Sequence, residues 1–228
     1  MTKRQIISKV KEIILQYSNP QRIYLYGSYA SGEANKSSDI DIAYDDENFK
    51  QHYLIEEEVQ KIPTLIKIDI KNIANTQDRF KNRVKSTGKV IYSATKKLRA
   101  EDGLYNFTNA LNRLINAINI EQEIKEEGFG DIYLDLIIKR FEFTYEMAWK
   151  ALKRYLEFLG YEPKNPQATF KEGYAQGILK DENIWLEMIE QRNLSSHIYD
   201  EYEIEEIVQN IKSYKDAFLD LKDNISKL

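Results

Sequence analysis

Apolar positions along this chain follow two different periods. From residue 3 to 17 they recur at helical spacing, with Ile6, Ile7, Val10, Ile13 and Ile14 on one stripe, and Asn19-Pro20 ends the run. The period then drops to two. Arg22-Ile23-Tyr24-Leu25-Tyr26 is β-branched and aromatic and predicts a strand. Ile40, Ile42 and Tyr44 alternate with Asp39, Asp41 and Ala43 and predict a second. Leu65 to Ile70 predicts a third with one acid in it, Asp69, and Val90-Ile91-Tyr92 a short closing strand. Helices are expected over 47–61, stopping before Pro63, and over 76–85. Asp45-Asp46-Glu47 reads as a solvated turn and helix start, and His52 as an exposed helix residue.

From Leu98 onward the period is helical throughout. One helix is expected over 98–126, with Leu104, Phe107, Leu111, Leu114, Ile115 and Ile118 as its apolar set, broken by Gly128 and Gly130. A long helix follows over 131–159, stopped by Gly160. Asn165-Pro166 opens a short third helix, Asp181 caps a fourth, and a last one spans about 203–226. Trp149 and Trp185 read as core packing. The fold class is therefore α+β, a mixed sheet with helices, followed by an all-α up-and-down helical bundle. The boundary falls at Ser93–Lys97, which gives domains 1–95 and 96–228.

Composition narrows this picture. The 228 residues are 42% hydrophobic and 31% charged, enough for a core and a polar surface. There is no cysteine, which excludes disulfides and thiolate zinc sites and fits a cytoplasmic location. The first 17 residues read as an amphipathic helix rather than a leader, and no apolar run reaches the length of a membrane span. The net charge of −4 hides an asymmetry. Residues 1–97 hold 17 Lys+Arg against 12 Asp+Glu, and the remainder holds 16 against 25. A basic first half suits an anionic ligand. The acidic second half lacks the overall basic balance of a general nucleic-acid grip.

The candidate chemistry begins with Asp39 and Asp41. Residues two apart on a strand share a face, so these carboxylates project side by side and repel unless a cation lies between them. If the Asp69 strand pairs alongside, three carboxylates can gather and hold one or two Mg²⁺ ions. Gly27-Ser28 lets backbone approach a phosphate, with Tyr29-Ala30-Ser31 opening a helix after it. Gly27-Ser28, ten residues, then Asp39-x-Asp41 resembles the signature of the DNA polymerase β-like nucleotidyltransferase superfamily, in its minimal nucleotidyltransferase (MNT) branch, over about residues 1–95. The resemblance implies transfer of a nucleoside monophosphate from an NTP, ATP above all, to a hydroxyl. It implies metal ligation by Asp39, Asp41 and Asp69, with Asp69 also helping to deprotonate the acceptor. It departs from the family at Tyr29 and Ser31, where arginines are common, which leaves the triphosphate to Lys36 or a more distant lysine.

A second constellation lies in the helical half, where Arg192 and His197 are five apart and Tyr199 follows. Arginine can hold phosphorane oxygens and histidine can move a proton near neutral pH. The segments FEFTYEMAWKALKRYLEFLGYEP, NPQATFKEGYAQGIL and WLEMIEQRNLSSHIYDE resemble the HEPN family, in the branch of nucleotidyltransferase substrate-binding proteins, over about residues 100–226. That resemblance implies a metal-independent RNase site from Arg192 and His197, completed by homodimerisation, with RNA as a partner. It also implies a toxin–antitoxin logic in which AMP transferred to Tyr199 silences the RNase. Two rivals stand beside this reading. The acceptor could be a small-molecule hydroxyl presented by the helical half, or the first half could be a non-catalytic nucleotide-binding scaffold.

Overall fold

The computed structural model describes residues 1–35, 38–194 and 201–227. The chain divides into two compact units, Met1–Thr95 and Lys96–Leu228.

In the first unit, α1 (Lys3–Tyr17) begins with a capping box: Thr2 Oγ1 accepts from Gln5 N, and Gln5 Oε1 accepts from Thr2 N. Then come β1 (Arg22–Tyr26), α2 (Ser28–Ser31), β2 (Ile40–Tyr44), α3 (His52–Gln60), β3 (Ile68–Asn72), α4 (Asp78–Thr87) and β4 (Lys89–Ser93). The strands form one sheet in the order β3-β2-β1-β4. β1 is antiparallel to both its neighbours, and β2 is parallel to β3, with α3 in the crossover between them. The alternation of side chains divides the sheet into two faces. Ile23, Leu25, Ile40, Ile42, Tyr44 and Ile70 pack under the buried stripes of α1 and α3. Tyr24, Tyr26 and Ala43 pack on the other face with Val84 and Phe80 of α4. Asp41, Asp69 and Lys71 stand on that second face, in sheet positions alternating with the isoleucines.

The structure departs from the sequence pattern at several points in this unit. The third strand begins at Ile68, and Leu65, placed in it from its apolar character, is fully exposed. α3 begins at His52 rather than 47, because Asp46 organises a loop first. Asp46 is buried and accepts from the backbone N–H groups of Asn19, Asn48 and Phe49, while Asp45 pairs with Lys85 at 3.0 Å. Only Glu47 of that trio is a solvated turn residue. His52 is not an exposed helix residue either. Its side chain is 28% exposed, Nε2 lies 3.1 Å from Ile70 O and Nδ1 lies 2.9 Å from Tyr44 Oη. A carbonyl can only accept, so Nε2 carries a proton and donates to Ile70 O, while Nδ1 shares a hydrogen bond with the tyrosine.

The second unit is helical: α5 (Lys96–Asn119), α6 (Glu121–Glu126), α7 (Gly130–Leu159), α8 (Pro166–Ala175), α9 (Glu182–Leu194), α10 (Glu201–Ser213) and α11 (Lys215–Ile225). Gly160 ends α7 in the left-handed region at φ 102°. Asn165 caps α8, with Pro166 in its first turn, and Asp181 Oδ1 accepts from Asn183 N ahead of α9. The single helix expected over 98–126 is interrupted at Ile120, beyond which Glu121 bridges Lys125 and Lys212. The last expected helix is likewise two, joined at fully buried Tyr214, whose ring lies 5.7 Å from that of Phe141. Aromatic side chains dominate the core, with Phe218 touching Phe107, Phe141 and Trp185 at ring separations of 6.0, 6.4 and 5.8 Å. Trp185 is core. Trp149 sits at its edge and donates to Glu146 Oε2.

Candidate active site

The first unit brings its acidic residues together through strand register. Tyr26 pairs with Asp41, and Asp41 pairs with Asp69, so the three stand in one row across β1, β2 and β3. Ile40 N donates to Lys67 O, which carries the β2–β3 pairing to the edge of the row holding Asp39 and Lys67. β3 and the residue before it therefore present Lys67, Asp69 and Lys71 beside Asp39, Asp41 and Ala43 of the β2 segment, a field of three carboxylates and two ammonium groups. Lys67 Nζ lies 3.6 Å from Asp39, and Lys71 Nζ lies 3.1 Å from Asp69 Oδ1. Tyr26 Oη donates to Asp69 Oδ2 at 3.0 Å.

The electrostatics of Asp41 follow from its place in this row. Burial raises its pKa above the ordinary carboxylate value, Asp69 and then Asp39 raise it further, and Lys67 and Lys71 only partly oppose them. The Tyr26 hydroxyl is also pushed up, first by burial and then by Asp69, so it keeps its proton and donates.

Gly27 closes β1 with φ 68°, in the region that favours glycine. A Cβ there would collide with Asp41 Oδ2 and sit 3.1 Å from its Cγ. The bend thus seats backbone directly against the central carboxylate. After it, α2 is a single turn. Ser31 Oγ is engaged within the turn by Ser28 O and Glu33, so it offers no substitute for a guanidinium. Tyr29 packs against the α1 face of the core, with Lys3 Nζ 4.8 Å above its ring.

Among the described residues, no group of three or more acidic or imidazole side chains stands close enough to hold a metal ion. Lys67 and Lys71 occupy Asp39 and Asp69 on the flanks of Asp41. The donor set still suits Mg²⁺, which is commonly bound by one or two carboxylates together with water and substrate phosphates. Asp41 and Asp69 are the residues that fit that part, with Asp39 at the rim, 47% exposed.

In the second unit, Arg192 lies in the last turn of α9 and is exposed. Its charge acts on α7. Burial pushes the Tyr145 hydroxyl up to about 12, with Arg192 opposing. At Glu146 burial disfavours the charge, but hydrogen bonds from Lys150 and Trp149, helped by Arg192, leave its pKa lowered. His197, Tyr199 and Lys36 lie outside the described residues. Among the described residues no helix is long and apolar enough to cross a membrane.

The sequence offered no sign of the Tyr26–Asp69 bond, because it joins residues 43 apart on strands that are not neighbours. The lysines around Asp69 are legible in the residue order as an alternation, Lys67-x-Asp69-x-Lys71.

Residues 8–97 match the family described as polymerase beta, nucleotidyltransferase. A crystal structure of a protein from Thermus thermophilus is similar at 29% identity and a TM-score of 0.41, covering 49% of this chain and 99% of its own. No curated protein matches. Residues 102–227, more than half of the chain, match the family described as nucleotidyltransferase substrate binding protein like, and the chain belongs to that family, with a nucleotidyltransferase domain preceding the match.

Proposed function

We propose that the chain is a Mg²⁺-dependent adenylyltransferase that moves AMP from ATP to a tyrosine hydroxyl, with Tyr199 as acceptor, and that its helical unit is a HEPN RNase-type domain. The observation that carries this reading is the in-register pairing of Asp41 with Asp69 beside the Gly27 bend. Mg²⁺, when bound, neutralises phosphate charge and acidifies the acceptor hydroxyl. Asp41 and Asp69 would hold it, while Gly27 and Ser28 would face the triphosphate. In the transfer, the tyrosine oxygen bonds to the α-phosphorus as the bond from that phosphorus to the bridging oxygen breaks. Pyrophosphate leaves with the electron pair, and the phenolic proton passes to Asp69. With Tyr29 and Ser31 in the common arginine places, the remaining phosphate charge falls to lysines, of which Lys67 and Lys71 stand on this face.

Likeness to HEPN domains supports a reading of Arg192 and His197 as an RNase site completed in a homodimer. AMP on Tyr199, two residues beyond His197, would set an anion at that site and exclude RNA. Intact-mass analysis after incubation with ATP and Mg²⁺ tests the transfer. Wild type is expected to gain AMP, and Asp41→Asn and Tyr199→Phe are expected to gain none. An equal gain in all three, or none in wild type, removes the reading. Transfer of label from ATP to amino sugars or polyols, with none to protein, would assign a small-molecule acceptor instead.

A second reading, a nucleotide-binding scaffold without turnover, is favoured by the inward packing of Tyr29 and the local bonding of Ser31. Calorimetry would then show ATP–Mg²⁺ binding with no pyrophosphate released.

Gly27→Ala tests the bend. The backbone strain is expected to cost about 1–3 kcal/mol. Displacement of Asp41 should lower transfer by about 100-fold, as about 1 Å of misplacement does elsewhere. Thermal melts and pyrophosphate release measure the two effects separately.

A further inference from the structure

We propose that Tyr26 is a positioning residue for Asp69. Its hydroxyl, carried across the sheet from β1, holds the Asp69 oxygen that the Lys71 ammonium does not. The inference rests on the reading of Asp41 and Asp69 as metal-facing carboxylates.

A carboxylate on a strand can turn about two side-chain torsions, and one partner leaves much of that freedom. Asp69 has two partners on different oxygens, Lys71 Nζ on Oδ1 and Tyr26 Oη on Oδ2. Together they fix both the plane and the direction of the group. They differ in kind. Lys71 is 44% exposed at the end of a flexible stem, so it supplies charge more than geometry. Tyr26 is 7% exposed, and its ring is held edge-on against Phe80 at 5.7 Å. A rigid ring anchored in the apolar patch under α4 delivers the hydroxyl, so its position is set by packing.

The span also argues for a specific role. β1 and β3 flank β2, and the tyrosine crosses the row at Asp41 to reach Asp69. A phenylalanine would fill the same space against Phe80, so packing alone does not require the hydroxyl. Asp69 keeps 37% of its side chain exposed, and each oxygen retains acceptor capacity for a ligand. The arrangement is a carboxylate held from behind and open in front, the usual form of support for a metal-binding or proton-accepting group.

Opposite outcomes follow for the two partners. Without the hydroxyl, Asp69 loses its orientation, and Tyr26→Phe should weaken Mn²⁺ binding by about tenfold, the lower end of the effect of losing such a partner. Without the ammonium, a competing cation is gone, and Lys71→Met should strengthen Mn²⁺ binding, with Lys71→Arg returning it toward wild type. The experiment titrates Mn²⁺ into the full chain without nucleotide, followed by electron paramagnetic resonance. It adds the single-turnover rate of AMP transfer as a function of ATP, and thermal melts to show that each variant is folded. Tyr26→Phe is expected to lower the transfer rate at saturating ATP by about tenfold, as loss of a hydrogen bond to a charged group does, with the ATP concentration for half-maximal rate little changed. Added to Asp69→Asn, it is expected to cause no further loss of Mn²⁺ affinity. If wild type binds Mn²⁺ and Tyr26→Phe matches it in affinity and transfer rate, whatever its melting temperature, the inference falls and the proposed function stands. If wild type binds no Mn²⁺, both fall.

Discussion

Asp41→Asn is expected to cripple nucleotidyl transfer and, at neutral pH, to make the first unit more stable. The loss should be about 10²–10⁴-fold, since a metal-held phosphate contributes several kcal/mol to the transition state and each 1.36 kcal/mol is tenfold. The gain in stability follows from the direction of the Asp41 shift. Its pKa is raised in the folded protein by burial, Asp69 and Asp39. A carboxyl with a raised folded value favours the fold while protonated, and that contribution is lost as pH rises through the raised value. Above that raised value Asp41 is a charged group held where charge is disfavoured. The isosteric amide removes that penalty and keeps the space against Gly27. Melting curves should place Asp41→Asn above wild type at pH 7, with the difference closing below about pH 4, the ordinary carboxylate range. Mg²⁺ should narrow the gap at pH 7 by stabilising wild type alone. A melting temperature for Asp41→Asn below wild type at pH 7 would contradict this account of the site.

Phe218→Ala carries the largest expected effect on stability. Phe218 is fully buried, and its ring meets Phe107 of α5, Phe141 of α7 and Trp185 of α9. Truncation leaves a cavity at the point where four helices share one side chain, at a cost of about 3–5 kcal/mol. For a unit of this size that corresponds to a fall of roughly 10–20 °C in melting temperature. Trp185 is one of two tryptophans in the chain, so its fluorescence follows the transition. Because Trp185 and Arg192 lie on the same helix, loss of this packing also frees the helix that presents Arg192.

Both results depend on features that differed in how far they could be read from the residues. The helix and strand types were legible wherever the apolar period was long and the ends were marked. α1, β1, β2 and α7 follow their patterns, and Gly160 and Asn165-Pro166 mark the ends they were expected to mark. The departures occur where a long-range contact overrides local preference. Asp46 looked like a solvated acid, but it caps a loop by accepting from Asn19, 27 residues earlier. His52 looked like a surface residue until β3 supplied Ile70 O as its partner. The breaks at Ile120 and Tyr214 carry no glycine or proline. One adjoins an ion-pair chain from Glu121 to Lys212, and the other adjoins a ring seated against Phe141.

Residue order alone established the two-part architecture, the nucleotidyltransferase signature and the alternation that sets Asp41 on the strand face opposite Ile40 and Ile42. These are local properties, set by periods of two and 3.6 and by glycine at a bend. Tertiary structure decided that β3 lies parallel beside β2 in the register that sets Asp69 against Asp41. It also decided that Tyr26 reaches Asp69 from across the sheet, and that Lys67 and Lys71 stand among the carboxylates. The physical reason is that a one-residue slip of β3 keeps its hydrogen bonds but turns Asp69 to the opposite face. What prevents the slip is the burial of Ile70 on the side of α1 and α3, an interaction among segments distant in sequence.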